Sequence, residues 1–457
     1  MLNSTDAHSP RRRCESGIAI ASRRERTLYN RDMSDSKHSA ASPPTRARYV
    51  VLLFTLLLAA VAYLDRVCIS TAAKAIKSDL LLSDTQMGFV FGAFTFAYAL
   101  FEVPSGWLAD RFGARLMLTR IVLWWSLMTA ATGWVGGFAS LFAARLLFGV
   151  GEAGTYPSIS CVYARWLPER MRGRAFGAVV MTGPFAGAIT QPLVVTLLGV
   201  VSWRRCFEIF GLVGVVWAVA WYRWFCDDPR RHRSVNAAEA ALIGEAKLPG
   251  AIHPAVPWAR LLRSRSLALL CLMYFAMIYG WYFYFTWLPS YLQRARGFNL
   301  TEAGWLSALP LIGIGTGVMA GGWLSDALRR RWGTRIGRRL PAMIGLPLAA
   351  GAIVGIIAIT SPLGAVAMFV TAGALAALAM APSWAVCLDI GKQHTGVVSG
   401  AMNMFGNFGG TLCGVAVGWC LDDWHSWNAP LYSIAVFYIV AAACWLGIDP
   451  EQPLTDE

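Results

Sequence analysis

The stretch GWLAD, Gly106 to Asp110, returns as GWLSD, Gly322 to Asp326, at an offset of 216 residues. Each copy closes a long apolar run and is followed at once by basic residues, Arg111 and Arg115 after the first and Arg329 to Arg339 after the second. A pentapeptide repeated in the same context predicts two related halves of one chain. A looser echo pairs GEAGTYPS, Gly151 to Ser158, with LAMAPS, Leu378 to Ser383.

Outward from those stretches, apolar runs recur near 49–69, 87–108, 116–136, 139–164, 174–200, 207–226, 267–292, 303–325, 341–360, 363–388, 397–421 and 430–447. Many approach the roughly 20 residues that one bilayer crossing needs. The chain is 56% hydrophobic and 14% charged, against about 25% charged in an average soluble domain. Inside lipid every backbone N–H and C=O must bond within its own segment or a closed barrel, and runs this long predict helices. The expected fold is an all-α membrane protein of twelve transmembrane helices in two pseudo-symmetric six-helix halves. The halves are expected at 46–226 and 267–447, with a cytoplasmic linker at 227–266 and a short C-terminal tail at 448–457. Residues 1–45 are polar and Arg-rich and predict disorder. Met33 opens an ordinary short cytoplasmic start, so residues 1–32 are read as an over-extended frame, with an organelle transit peptide as the alternative.

Basic residues orient the chain, since Lys and Arg near helix ends stay on the cytoplasmic side. With the N-terminus inside, thirty of the 40 basic residues fall in inward loops and tails and six in outward loops. Both termini are therefore expected in the cytoplasm. The same distribution accounts for the net charge of +14 without nucleic-acid binding, because the charges alternate between loops and form no single face. Arginine outnumbers lysine 35 to 5, which with the Ala and Gly content points to a GC-rich bacterial genome and hence to the inner membrane. The ten cysteines are scattered without CxxC pairs and read as packing residues, with no metal site and no cofactor expected.

Ionisable groups inside spanning helices cost several kcal/mol unless paired or hydrated, which makes them functional candidates. They are Asp65 and Arg66 in the first span, Glu102 in the second, Arg145 and Glu152 in the fourth, and Glu208 near the end of the sixth. Arg145 and Glu152 are two helical turns apart and share a face with Gly149 and Tyr156. A fixed guanidinium holds a carboxylate bidentately, which suits Arg66 and Arg145. A coupling proton needs a carboxyl that changes its environment between conformations, which suits Glu152 and Asp65. The competing reading is structural: Asp65 with Arg145, or Arg66 with Glu152, as ion pairs joining helices. Glu102 adds a third acid, expected to neutralise an arginine, alter proton stoichiometry or favour a cargo with its own cation. Tyr63 and Tyr98 share helical faces with Arg66 and Glu102, while the aromatics at 274–287 read mainly as packing. Asn403 and Asn407 form an amide ladder beside Ser383 and Trp384 as pocket candidates, with Gln191 weaker. Asp110, Arg111 and Arg115 are expected to form a charge latch at helix ends, and Asp326 with Arg329 to Arg331 a weaker one.

GWLADRFGAR, Gly106 to Arg115, resembles the signature loop of the major facilitator superfamily. YLDR (63–66), RLLFGVGEAGTYPS (145–158), the WLP-x-x-x-R-G-x-A-x-G run (166–177), TWLPSYL (286–292) and SGAMNMFGNFGG (399–410) narrow the likeness. Together they resemble the anion:cation symporter branch, which includes D-galactonate, glucarate and phthalate carriers and vesicular glutamate and sialic acid transporters. The likeness spans 49–447. It implies a major facilitator fold and proton symport of a small organic anion, a sugar acid or an aromatic carboxylate, by a monomer. It further implies that Arg66 binds the cargo carboxylate, that Asp65 and Glu152 carry protons, and that Trp384 and Asn403 contact hydroxyls.

Two other functions compete. GPxxG at 183–187 is a fragment of an antiporter pattern and suggests proton-driven efflux of drugs or metabolites, although paired arginines suit an anion better than a cationic drug. A membrane enzyme or sensor is disfavoured by the absence of a Ser/His/Asp grouping, a phosphate loop or a metal cluster in the sequence, with all six histidines in tails or loops.

Overall fold

In the computed structural model the described residues are 43–244 and 258–452, with the side chain of Asp110 among those left outside. Met33 and most of the expected N-terminal tail also lie outside them. No strand occurs among the described residues. The helices are α1 (Ala47–Leu80), α2 (Asp84–Phe112), α3 (Ala114–Thr132), α4 (Phe138–Glu152), α5 (Thr155–Trp166), α6 (Glu169–Leu198) and α7 (Trp203–Trp224). Short helices α8 (Ala237–Ile243) and α9 (Trp258–Arg263) follow, then α10 (Arg265–Thr286), α11 (Leu288–Ala295), α12 (Leu300–Ala358), α13 (Pro362–Ala377), α14 (Met380–Gly391), α15 (Thr395–Asp423) and α16 (Asn428–Gly447). Eight helical stretches are long and apolar enough to cross a bilayer. Large side chains such as Leu53, Leu212, Val216, Leu348 and Leu446 stand exposed along them, an arrangement that lipid tolerates and water penalises.

Helix starts follow local chemistry. Ser83 and Asn299 each form a reciprocal capping box, with Gln86 and Glu302, which satisfies amide donors that the first helical turn leaves open. Ser202, Ser264 and Ser361 accept a first-turn N–H in the same way.

Three expected boundaries are corrected. The run at 139–164 is two helices broken at Ala153 and Gly154, and the run at 363–388 is broken at Leu378 and Ala379. In each case a proline, Pro157 or Pro382, is the third residue of the new helix, where its missing N–H costs no intrahelical bond. This is the physical content of the GEAGTYPS and LAMAPS echo. The basic stretch Arg329 to Arg339 is helical, not a loop, except at Gly333, whose φ of 84° breaks α12. The chain reverses there: the backbone of Arg329 lies against Gly337, and Arg296 reaches the carbonyls of Ile356 and Ile359 at 2.6 and 2.8 Å. Gly113 makes the matching turn between α2 and α3 at φ 83°, a conformation glycine adopts without steric cost.

What secures the two turns also corresponds. After Gly113 the amides of Ala114 and Arg115 donate to Asp227, at 2.8 and 3.3 Å, and after Gly333 that of Arg335 donates to Glu451 at 3.3 Å. The Arg115 guanidinium donates to the Tyr222 carbonyl at 2.6 and 3.0 Å, and Arg339 to that of Ile448 at 2.7 Å. A carboxylate thus sits on a helix start and a cation on a helix end, the favourable sense for both dipoles. The segment expected as a linker is partly anchored, since Glu239 of α8 is buried in an ion pair with Arg48 of α1 and Asn236 hydrogen-bonds Thr45 and Pro43.

α1 lies on α6, α3 on α7, α2 on α15, α12 on α13 and α6, and α10 on α15 and α16. At the end carrying Ser83 and Asn299 the early and late helices close on one another. There Asp422 accepts the amides of Asp84 and Thr85 at 3.0 and 2.7 Å, and Arg294 donates to both oxygens of Asp84 at 2.7 and 2.8 Å. A Cβ placed on Gly88 would meet the Gly414 carbonyl at 2.4 Å, whereas one on Gly173, Gly177 or Gly396, toward the basic end, would meet nothing within 4 Å. The bundle is sealed at the end carrying Ser83 and Asn299.

Candidate functional site

Between the early and late helices lies a cavity of about 140 Å³. Tyr63, Arg66, Tyr98, Glu102, Arg145, Trp384 and Asn403 all line it, so all six expected contact residues and one of the three acids share one chamber. Asp65 and Glu152 are fully buried in its wall.

Arg66 projects from α1 toward the break after α4. Its Nε donates to Glu152 Oε1 at 2.6 Å, its Nη2 stands 2.5 Å from the same oxygen as an ion pair, and the other carboxylate oxygen has no hydrogen bond. The guanidinium lies 5.2, 5.0 and 5.0 Å from the ring centres of Tyr63, Phe94 and Tyr98, within the range of a cation–π attraction. One carboxylate and three rings thus fix a planar donor fork at the edge of the cavity. Glu152 owes its place to the helix break one residue beyond it, where Thr155 Oγ1 caps the Glu152 carbonyl at 2.6 Å.

Arg145 is 2% exposed. Its guanidinium stacks on Phe148 at 4.2 Å and stands 5.6 Å from Phe94, so both cations border the ring of Phe94. Arg145 Nε and Nη1 and both oxygens of Asp65 are buried without hydrogen bonds. Asp65 has Arg145, Glu152 and the indole of Trp125 as its electrostatic neighbours. Of the two ion pairs the sequence allows, Arg66 with Glu152 forms and Asp65 with Arg145 stays apart.

Glu102 neutralises neither arginine directly. Both its oxygens accept from the Asn403 amide at 2.8 Å, which joins α2 to α15 across the chamber. Asn407 donates to the Asn403 carbonyl at 2.9 Å and accepts from Tyr282 at 3.0 Å, and Trp384 donates to the Tyr274 hydroxyl at 3.1 Å. Of the aromatics at 274–287, Tyr274, Trp281, Tyr282 and Phe285 reach the cavity. Tyr279 instead bonds Ser433, and Trp287 the Gly414 carbonyl.

Other candidates lie elsewhere. Gln191 is buried against Thr71 and Ser383 bonds the Ala379 carbonyl, both off the cavity wall. The GPxxG fragment is a packing feature in part, because Gly183 lies under the ring of Tyr63. Arg111 is exposed and lies 5.7 Å from the ring of Phe112. Arg115 is bound to the end of α7, as described above. Asp326 does not use Arg329 to Arg331: its partner is Arg338 at 3.4 Å, which also bonds Asp389 at 2.9 Å and Ser325 at 3.1 Å. The reason is the reversal at Gly333, which carries Arg338 back toward Asp326.

Sequence reasoning missed Phe94, although it precedes Tyr98 by four residues and Glu102 by eight and so shares their helical face. It also missed the clasp of Asp84, Arg294 and Asp422, since charges at span ends are indistinguishable from ordinary loop charges before the ends are brought together.

The sequence pattern of the Major Facilitator Superfamily matches residues 55–414 and again 331–457. The chain belongs to that superfamily. It is accordingly a multi-pass membrane transporter and not an enzyme. It is 33% identical over 413 residues to a probable sulfoacetate transporter, SauU, of Cupriavidus necator, covering 89% of this chain and 94% of that one. It is 32% identical over 422 residues to a hexuronate transporter of Bacillus subtilis, covering 89% and 98%. It is 29% identical over 422 residues to the probable galactarate/D-glucarate transporter GarP of Escherichia coli K12, covering 88% and 94%. Among solved structures, a bacterial homolog of the human lysosomal transporter Spinster, inward-facing and occupied, aligns with a TM-score of 0.69 at 19% identity over 87% of this chain and 96% of that one. The unoccupied inward-facing form aligns at 0.67 over 88% and 95%. These structures share the fold.

Proposed function

We propose that this chain is a secondary active transporter that imports a small organic anion, a sugar acid or an aromatic carboxylate, together with protons. Alternating access between two six-helix halves carries the cargo, with both termini cytoplasmic in a bacterial inner membrane. The observation that carries this reading is the Arg66–Glu152 pair at the cavity edge. An ionised Glu152 occupies the donor fork that a cargo carboxylate would use. Protonation removes that competitor, and the guanidinium, still held by its three rings, turns its donors to the incoming carboxylate. Proton and anion then load together because each makes room for the other. Asp65 beside Arg145 offers a second protonation site of the same logic, with no hydrogen bond holding its carboxylate. The sealed end and the names of the relatives support import of an acid through such a cycle.

The test is Glu152→Gln in proteoliposomes. Proton-driven uptake of a labelled acid is expected to disappear while exchange of internal for external acid persists, because the glutamine keeps a permanently neutral partner beside Arg66. Equal loss of both activities would assign the pair a structural role and sink the coupling scheme.

A further inference from the structure

The cavity and its wall hold five ionisable side chains of opposite sign: the guanidinium groups of Arg66 and Arg145, and the carboxyl groups of Asp65, Glu102 and Glu152. With all of them charged, three negatives face two positives, an excess of one negative in a chamber built for an anion. Glu152 is spoken for by Arg66, and Asp65 lies beside Arg145. Glu102 stands apart. Its oxygens are both met by the Asn403 amide, a pattern that fits an acceptor-only, ionised carboxylate. Around it are Tyr98 of its own helix, Tyr274 and Tyr282 of α10, and Arg66 across the chamber. No lysine or histidine lines the cavity among the described residues.

A loaded chamber that reorients through lipid must be close to neutral, because each uncompensated buried charge costs several kcal/mol. On the transport reading above, protons on Asp65 and Glu152 leave two guanidinium groups and the Glu102 carboxylate, a net charge of +1. We propose that Glu102 sets the charge of the cargo: it matches the proton-loaded cavity to an acid bearing one carboxylate and rejects acids bearing two. The single carboxylate sits on the arginine side. The uncharged remainder faces the Glu102–Asn403 bridge and the Trp384–Tyr274 pair, which offer acceptors and donors to hydroxyls. The three-acid arrangement is thereby a specificity device, and the inference rests on the organic-anion reading and on the two protonated acids.

The experiment measures uptake by the full-length chain in proteoliposomes of cargo pairs that differ by one carboxylate, D-galactonate against galactarate and benzoate against phthalate. The wild-type chain is expected to favour the monoanion of a pair. Glu102→Gln removes one negative charge at nearly constant shape and is expected to invert that preference. One full charge about 8 Å away at an effective dielectric near 20 corresponds to a change of roughly thirtyfold in the ratio. Glu102→Asp keeps the charge and is expected to retain the wild-type order, which separates a charge effect from damage to folding. A wild-type preference for the dianion overturns the inference, as does an unchanged ratio in a Glu102→Gln protein that still transports. If the wild-type chain moves none of the four acids and none shifts its thermal unfolding, the organic-anion reading itself falls, and this inference with it.

Discussion

Replacement of Gly88 by alanine tests whether the sealed end is a contact on which the conformational equilibrium turns. A Cβ at that position would stand 2.4 Å from the carbonyl oxygen of Gly414 and 3.2 Å from the Val415 Cα. Both obstacles are backbone, so no side-chain rotation relieves them. Real Cβ contacts do not fall below 3.0 Å, and α2 and α15 must therefore separate by at least about 0.6 Å at this point. Overpacking of a close interface costs about 1–3 kcal/mol, and the cost falls only on the state in which this end is closed. The gain in helix propensity on replacing glycine, about 1 kcal/mol, is present in both states and cancels. The equilibrium should thus move toward opening at this end by roughly 5- to 150-fold. Spin labels at exposed Leu81 and Asp423, on either side of the seal, would report it as a second, longer distance in pulsed dipolar spectra. Gly173→Ala, where an added Cβ meets nothing within 4 Å, is the matched control and should leave the distances unchanged. A Gly88→Ala distribution superimposable on the wild type would show that the seal has slack and would refute the steric argument.

Two further outcomes follow from the same structure. Arg66→Lys keeps the cation but loses the planar fork that bonds and ion-pairs Glu152 and lies against three rings. The initial uptake rate at low substrate should fall at least tenfold, about 1.4 kcal/mol or more, within the range for hydrogen bonds to charged groups, and a lysine protein above half the wild-type rate would show the fork to be unused. Asp227→Ala removes the acceptor for two amides at the start of α3 and the partner of Arg165 at 2.9 Å. It should lower stability by about 1–2 kcal/mol, and thermal unfolding followed by tryptophan fluorescence should show a larger loss than Glu451→Ala, which breaks one bond of 3.3 Å.

The all-helical membrane fold was legible early because it depends on quantities summed along the chain. Apolar runs and alternating loop charge give helices and an expected orientation without any long-range contact. The GWLAD repeat was legible as a relation between halves, but its meaning was not: the turns at Gly113 and Gly333 and their carboxylates at Asp227 and Glu451 emerge only when distant segments meet. The same holds for Asp326, where nearness in sequence favoured Arg329 to Arg331 and the chain reversal delivered Arg338.

The sequence by itself determined that Asp65, Arg66, Glu102, Arg145 and Glu152 had to be explained, since charges in apolar helices are too costly to be incidental. It also placed Tyr63, Tyr98, Trp384 and Asn403 near them, through helical spacing and motif likeness. Only the tertiary structure decided who pairs with whom. Arg66 and Glu152 are 86 residues apart, and Glu102 and Asn403 are 301 apart. Periodicity fixes which face of its own helix a residue occupies, but the rotation of one helix against another is set by packing across the whole bundle. That rotation placed Glu152 on Arg66, gave Glu102 to Asn403 and left Asp65 without a hydrogen bond beside Arg145.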